Sequence, residues 1–123
     1  MKSTINIPGA VPPIGPYSHA VISNGFVFIS GQGPANPQTG EVSEHFNEQA
    51  RQTFENIRMI LEGVDLGMKD VVKVQVYLSD LDYFSEFNEV YREFFTGEYP
   101  VRTTIGAQLL GIMIEIDCIA ALE

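Results

Sequence analysis

Phe46, Ala50, Thr53, Phe54, Ile57, Ile60, Leu61 and Val64 recur at three- and four-residue spacing, and soon afterwards Val72, Val74, Val76 and Leu78 recur at every second position. The first period predicts an amphipathic helix with one apolar stripe, the second a strand with one buried face. Glu48, Arg51, Gln52, Glu55 and Glu62 fall largely off the helical stripe, and Gly63 supplies a stop. A stripe on the helix and a face on the strand both need covering, so the two pack on each other.

The remaining segments extend this pattern on both sides. Asn24-Gly25 lies between two apolar runs, His19–Ile22 and Phe26–Ile29, and predicts a tight hairpin because both turn residues tolerate positive φ. Gly31-Gln32-Gly33-Pro34 is expected to end the second strand, and Asn36–Gly40 is a turn-rich loop. Phe84, Phe87, Val90, Tyr91 and Phe94 predict a second helix, capped by Asp80 or Asp82 and closed by Gly97 and Pro100. Two further strands open at Val101 and Met113. Strands, helix, strand, helix, strands is the order of an α+β fold: one two-layer domain over residues 1–123, a mixed sheet with two helices on one face. Tyr77, Ile119 and Ala121 lie on the alternate positions of their strands. An apolar second face there calls for self-association to cover it.

Charge and composition restrict function. Sixteen acidic residues face seven basic ones, a net charge of -9, with no cluster of Lys or Arg. A nucleic-acid binder needs a basic footprint to neutralise phosphates, so this balance argues against one. No apolar run reaches the ~18 residues of a membrane span. The N-terminus lacks the apolar stretch of a signal peptide. The single cysteine, Cys118, excludes an intrachain disulfide, and a cytoplasmic address is the default. His19 and His45 show no ligand spacing with each other or with Cys118, so no metal is expected.

Against this acidic background, Pro100-Val101-Arg102-Thr103-Thr104 stands out. Arg102 opens one strand, and Glu115 sits between Ile114 and Ile116 on the next. If the two strands are neighbours, the guanidinium fork can grip a small carboxylate while Glu115 holds a water. Composition and pattern alone favour a surface ion pair for Arg102 and a solvated strand position for Glu115. Ser30 has no partnered histidine, which argues against a serine nucleophile. Cys118 alternates with core residues and suits a small buried hydrophobe.

Several segments read together carry more. Ile14-Gly15-Pro16-Tyr17-Ser18-His19-Ala20 precedes Ile29-Ser30-Gly31-Gln32; then come Asn36–Glu41, Gln49–Gln52, Asn56-Ile57, Val72-Lys73, Asn88-Glu89-Val90-Tyr91, Pro100–Thr104 and Ile114–Ala120. In this order and over nearly the whole chain, the set resembles the Rid (YjgF-like) family of reactive-intermediate deaminases, formerly labelled endoribonuclease L-PSP. The resemblance implies a chorismate-mutase-like fold and a homotrimer with sites in clefts between subunits. It also implies cofactor-free hydrolysis of short-lived 2-enamine and 2-imine acids, such as 2-aminoacrylate or 2-iminobutyrate, to 2-keto acids and ammonia.

By resemblance, Arg102 is the carboxylate-binding arginine and Glu115 the water-positioning glutamate. Tyr17, Ser30, Gly31 and Asn88 match positions that line or support the cleft. Thr104 stands where many members carry a cysteine, and is expected to contribute its backbone N–H. The connection Gly106–Gly111 is shorter than the family's usual one and lacks its Leu-Pro pair; both departures bear on substrate size. Two rival classes remain open: an endoribonuclease or translation inhibitor, and a non-enzymatic module binding small carboxylates or proteins.

Overall fold

The computed structural model describes residues 2–122. Six strands, β1 (Lys2–Ile5), β2 (Ala20–Ser23), β3 (Phe26–Gln32), β4 (Val71–Leu78), β5 (Val101–Gly106) and β6 (Ile114–Ala121), form one sheet with two helices, α1 (Phe46–Glu62) and α2 (Phe84–Phe94). The spatial order is β1-β2-β3-β6-β4-β5. The β4–β5 pair is parallel and every other pair antiparallel, so the sheet is mixed. α2 is the crossover that a parallel β4–β5 pair requires. Lys2–Ile5, which no periodicity marks, pairs as an edge strand on β2.

Both helices cover one sheet face. α1 supplies Phe46, Ala50, Phe54, Ile57, Ile60 and Leu61 to the core, and the sheet answers with Val27, Ile29, Val74, Val76, Leu78, Ile114, Ile116, Cys118 and Ala120. Phe54 joins the helices: its ring lies 4.8 Å from Phe94 and 5.9 Å from each of Phe87, Tyr91 and Phe95. Truncating such a ring to alanine costs about 3–5 kcal/mol.

The hairpin turn is as expected, with Asn24 at φ 52° and Gly25 at φ 82°. Other local details add to or differ from the sequence expectation. In β4 the buried face begins at Val71, and Val72 is exposed, because the register on β6 shifts between Val71 and Lys73. β3 ends at Gln32, inside the 31–34 segment expected to end it, after a bulge that the sequence did not mark. Gly63 ends α1 with ordinary helical φ; it is small because Ile7 packs on it, its Cδ1 2.5 Å from where a Cβ would lie. Asp80 caps the short 3₁₀ turn Leu81–Tyr83 by accepting from the Asp82 N–H at 2.8 Å, and α2 starts from that turn without a side-chain cap of its own.

The uncovered sheet face is divided. Phe26 and Phe28 on β3 stand opposite Ala121 and Ile119 on β6, forming an apolar region. Toward the other end it becomes polar: Tyr77 Oη donates to Asp117 Oδ2 at 3.0 Å, with Gln75 and Glu115 alongside. Val101 and Ile105 extend exposed apolar surface along the edge strand.

Candidate active site in two halves

Arg102 and Glu115 do not meet within one chain. β4 separates their strands, which corrects the expectation that β5 and β6 are neighbours. Arg102 is in register with Val74, which pairs with Cys118 on the helix-covered face; Glu115 is in register with Tyr77 on the uncovered face. Two strand spacings across and three residues along put their backbones roughly 14 Å apart, with side chains on opposite faces. Arg102 and Glu115 therefore line separate clefts.

The first cleft, about 320 Å³, lies where α2 overhangs β5 and is lined by Asn88, Tyr91, Arg92, Tyr99, Pro100 and Arg102. The Arg102 guanidinium rests on aromatic rings, 4.7 Å from the centroid of Tyr91, 5.3 Å from Phe87 and 5.6 Å from Phe84. These contacts favour a cation without neutralising it. Among the described residues no carboxylate pairs with Arg102. Burial, with Arg92 adding a like charge, pulls its pKa below the usual arginine value, although a guanidinium stays charged throughout the working pH range. Two buried hydroxyls, Tyr91 Oη and Thr104 Oγ1, have no hydrogen-bond partner. The sequence favoured the Thr104 backbone N–H; the structure leaves its side-chain hydroxyl free, on the same strand face as Arg102. Such unpaired buried groups are costly unless something else meets them.

The second cleft, about 480 Å³, is lined by Tyr17, Gly31, Gln32, Gly33 and Glu115, with the 11–14 and 108–112 segments at its rim. Its shape depends on the β3 bulge. Ile29 pairs with Cys118 and Gln32 with Ile116, so Ser30-Gly31 holds one residue more than β6 opposes. The bulge brings Gly31 under Glu115: a Cβ there would lie 3.0 Å from Glu115 Cδ and closer still to Oε2. Ser30 supports the cleft from behind. Its Oγ donates to the His19 carbonyl at 3.1 Å and does not line the cleft. Tyr17 is half exposed, and its hydroxyl accepts from the Ile14 N–H at 3.2 Å. Glu115 has its pKa raised, first by burial and then by the charge of Asp117 two residues on.

Sequence reasoning missed the residues that hold this second cleft in shape. Buried His19 accepts the Ile7 N–H on Nδ1 at 2.9 Å and donates from Nε2 to the Val11 carbonyl at 2.8 Å, which sets the neutral Nε2–H tautomer and pins the loop carrying Tyr17. Asn56 donates to the Gly33 and Ala35 carbonyls at 2.9 and 2.8 Å. Gln49 accepts from the Met113 N–H at 2.9 Å and donates to the Ser43 carbonyl at 2.7 Å. The available signal was a polar residue on the buried side of a helix, which needs a partner to be tolerated there. Cys118 is buried and its thiol pushed up to about 12, so it is inert.

A mixed sheet with two helices on one face, and this paired arrangement of clefts, define a recognisable class. Residues 8–122 match the family model described as Endoribonuclease L-PSP. The chain is 43% identical to a RutC family protein of Pyrococcus horikoshii, with 100% of both chains covered. It is 37% identical to a 2-iminobutanoate/2-iminopropanoate deaminase of Dermatophagoides farinae, covering 99% of this chain and 98% of the other. A crystal structure of Escherichia coli TdcF with bound serine superimposes with a TM-score of 0.92 at 36% identity, covering 98% of this chain and 99% of that one. The chain belongs to the endoribonuclease L-PSP family, the Rid (YjgF-like) family that its residues resemble.

Proposed function

We propose that this protein hydrolyses reactive 2-enamine and 2-imine acids to 2-keto acids and ammonia, at sites each shared by two copies of the chain. The observation that carries this reading is the separation of the two half-sites. Arg102, with Asn88 on the same cleft wall, is a carboxylate receptor without a base. Glu115, over Gly31 and beside Tyr17, is a base without a receptor. Each becomes useful when the first cleft of one copy faces the second cleft of another. The unlike surfaces then make a heterologous contact, which closes into a ring, and the resemblance implies three copies. The apolar region at Phe26 and Phe28, and the separate exposed pair Val101 and Ile105 on the edge strand, give such a contact surface to bury. The relatives named as deaminases, and a relative crystallised with an amino acid bound, agree with this reading.

In the proposed reaction Arg102 holds the substrate carboxylate by two parallel hydrogen bonds. Glu115 of the adjoining copy takes a proton from water as the oxygen attacks the C=N carbon. Ser30 and Gly31 shape the backbone under that water, and Tyr17 closes over the substrate. The carbinolamine regains the proton on nitrogen and collapses to the keto acid, releasing ammonia. Imines already hydrolyse in water, so orientation and one placed base account for the modest acceleration needed. The raised pKa makes Glu115 a stronger base once ionised, and activity should fall as pH drops through a value above the ordinary carboxylate range.

The test is complementation. Arg102→Ala and Glu115→Gln are each expected to lose turnover of imines generated in a coupled amino-acid oxidase assay. Co-refolded at equal amounts, they should regain about a quarter of wild-type activity, because about one interface in four then joins an intact arginine to an intact glutamate. No recovery, with mixed oligomers present by mass, rules out a shared site. No turnover by the wild type, with keto acids still bound, favours the binding-module alternative.

A further inference from the structure

The chain has four arginines in a protein that carries sixteen acids. Arg51 pairs with Glu93 at 2.8 Å, and Arg58 with Glu55 at 2.9 Å. Among the described residues the other two, Arg92 and Arg102, have no carboxylate partner, and both line one cleft. The remaining lining residues, Asn88, Tyr91, Tyr99 and Pro100, carry no acid. Helix geometry explains the placement: Asn88 and Arg92 are four apart in α2 and project from the same face, over the edge strand that carries Arg102. The two cations feel each other, since Arg92 contributes to the lowered pKa of Arg102. Two like charges in one cleft repel, and among the described residues no carboxylate pairs with either.

They also differ in setting. Arg102 is half buried on its aromatic bed, whereas Arg92 is exposed at the mouth. A ligand with a single carboxylate satisfies the inner arginine and leaves the outer one unmet. A ligand with a second carboxylate at its far end satisfies both. We propose that the cleft selects dianionic substrates: 2-imino dicarboxylic acids whose α-carboxylate sits on Arg102 and whose side-chain carboxylate reaches Arg92. This rests on the reaction proposed above and narrows its substrate class. Asn88, which lines the same cleft, has an amide that can donate to either carboxylate.

Binding separates this inference from the reaction. Calorimetry at low ionic strength would compare 2-oxoglutarate, 2-oxobutyrate and inorganic phosphate on wild type and on Arg92→Gln. We expect wild type to bind 2-oxoglutarate about tenfold more tightly than 2-oxobutyrate, the value of one added charge-assisted contact. In Arg92→Gln that ratio should fall toward one, and circular dichroism controls for folding. A wild-type ratio near one, or a ratio that Arg92→Gln leaves intact, overturns the proposal. So does tighter binding of phosphate than of 2-oxoglutarate, which would assign the pair to a phosphate-bearing ligand. Turnover is read separately, with imines generated from glutamate and from 2-aminobutyrate. A dicarboxylate preference in binding with no turnover of either imine would sink the deaminase reading and leave the dianion site standing.

Discussion

The Arg102 cleft and the Glu115 cleft are built by different means. Arg102 sits on rings that belong to the core: Phe87 and Tyr91 are buried, and Phe87 stacks with Phe54 at 5.9 Å. Its position is set by the same packing that joins α1 to α2. Glu115 instead depends on one bulge, one glycine and loops held by pairs of side-chain hydrogen bonds from His19, Asn56 and Gln49. Changes near the receptor half therefore risk stability as well as activity. Changes at Tyr17 or Gly31 in the base half should alter rate with little effect on folding, whereas His19, Asn56 and Gln49 are buried and their loss would leave loop groups unpaired.

The two primary residues give the largest expected effects. Glu115→Gln keeps shape and removes the base, so turnover should fall about 10²–10⁴-fold while keto-acid binding changes little. Arg102→Ala should lower kcat/KM at least a hundredfold, chiefly through lost carboxylate binding, since a charge-assisted pair is removed. Arg102→Lys should recover little, because a point charge lacks the planar fork. Steady-state kinetics with a circular dichroism control tests both. Unchanged turnover in Glu115→Gln would make that carboxylate an ordinary strand residue. Near-normal activity in Arg102→Ala would remove the receptor from the proposed site.

What the sequence made legible follows the same division. Residues whose environment is periodic were readable: the stripe of α1, the alternation of β6 and the type of hairpin at Asn24-Gly25 all rest on local rules. The nonlocal strand order was not. The pairing of β6 between β3 and β4 cannot be deduced from a strand's own residues, and assuming adjacency of β5 and β6 put Arg102 and Glu115 together when β4 intervenes. Register shifts were equally hidden, since the bulge at Ser30-Gly31 and the exposure of Val72 depend on the partner strand. The polar residues on buried helix positions were quoted for their resemblance, but their loop-pinning role required the loops' coordinates.

Gly31→Ala sharpens the contrast at an intermediate scale. Gly31 does not need a left-handed backbone; it needs to lack a Cβ, because Glu115 lies over it. The obstructing atoms are the end of a flexible side chain, so folding should tolerate the change, and losing glycine's freedom in the unfolded chain offsets part of any cost. Stability should stay within about 1 kcal/mol of wild type. Glu115 would have to swing aside, and misplacing a catalytic group by about 1 Å costs up to ~10²-fold in rate. Thermal unfolding and kcat measured together decide it. A large stability loss with normal kcat would show that the bulge serves folding and not the aim of Glu115.

The smallest effect concerns the carboxylate that neighbours the base. Asp117 stands on the same strand face as Glu115, and its negative charge adds to burial in raising the Glu115 pKa. Asn at 117 removes that charge and keeps an oxygen to accept the Tyr77 hydroxyl, which lies 3.0 Å from Asp117 Oδ2. The sign follows directly. A lower Glu115 pKa leaves its carboxylate ionised to lower pH, so the acid limb of the kcat profile should move toward lower pH. Burial, the larger cause, is untouched, so the limb should remain above the ordinary carboxylate position. A weaker base also transfers protons less effectively, so the plateau rate should fall slightly. Nothing comparable is expected in the other cleft, where no carboxylate lies among the lining residues. A pH–rate profile of Asp117→Asn beside wild type is the measurement. An acid limb that stays in place would mean that the titrating group is not Glu115, and would detach the base half from the chemistry assigned to it.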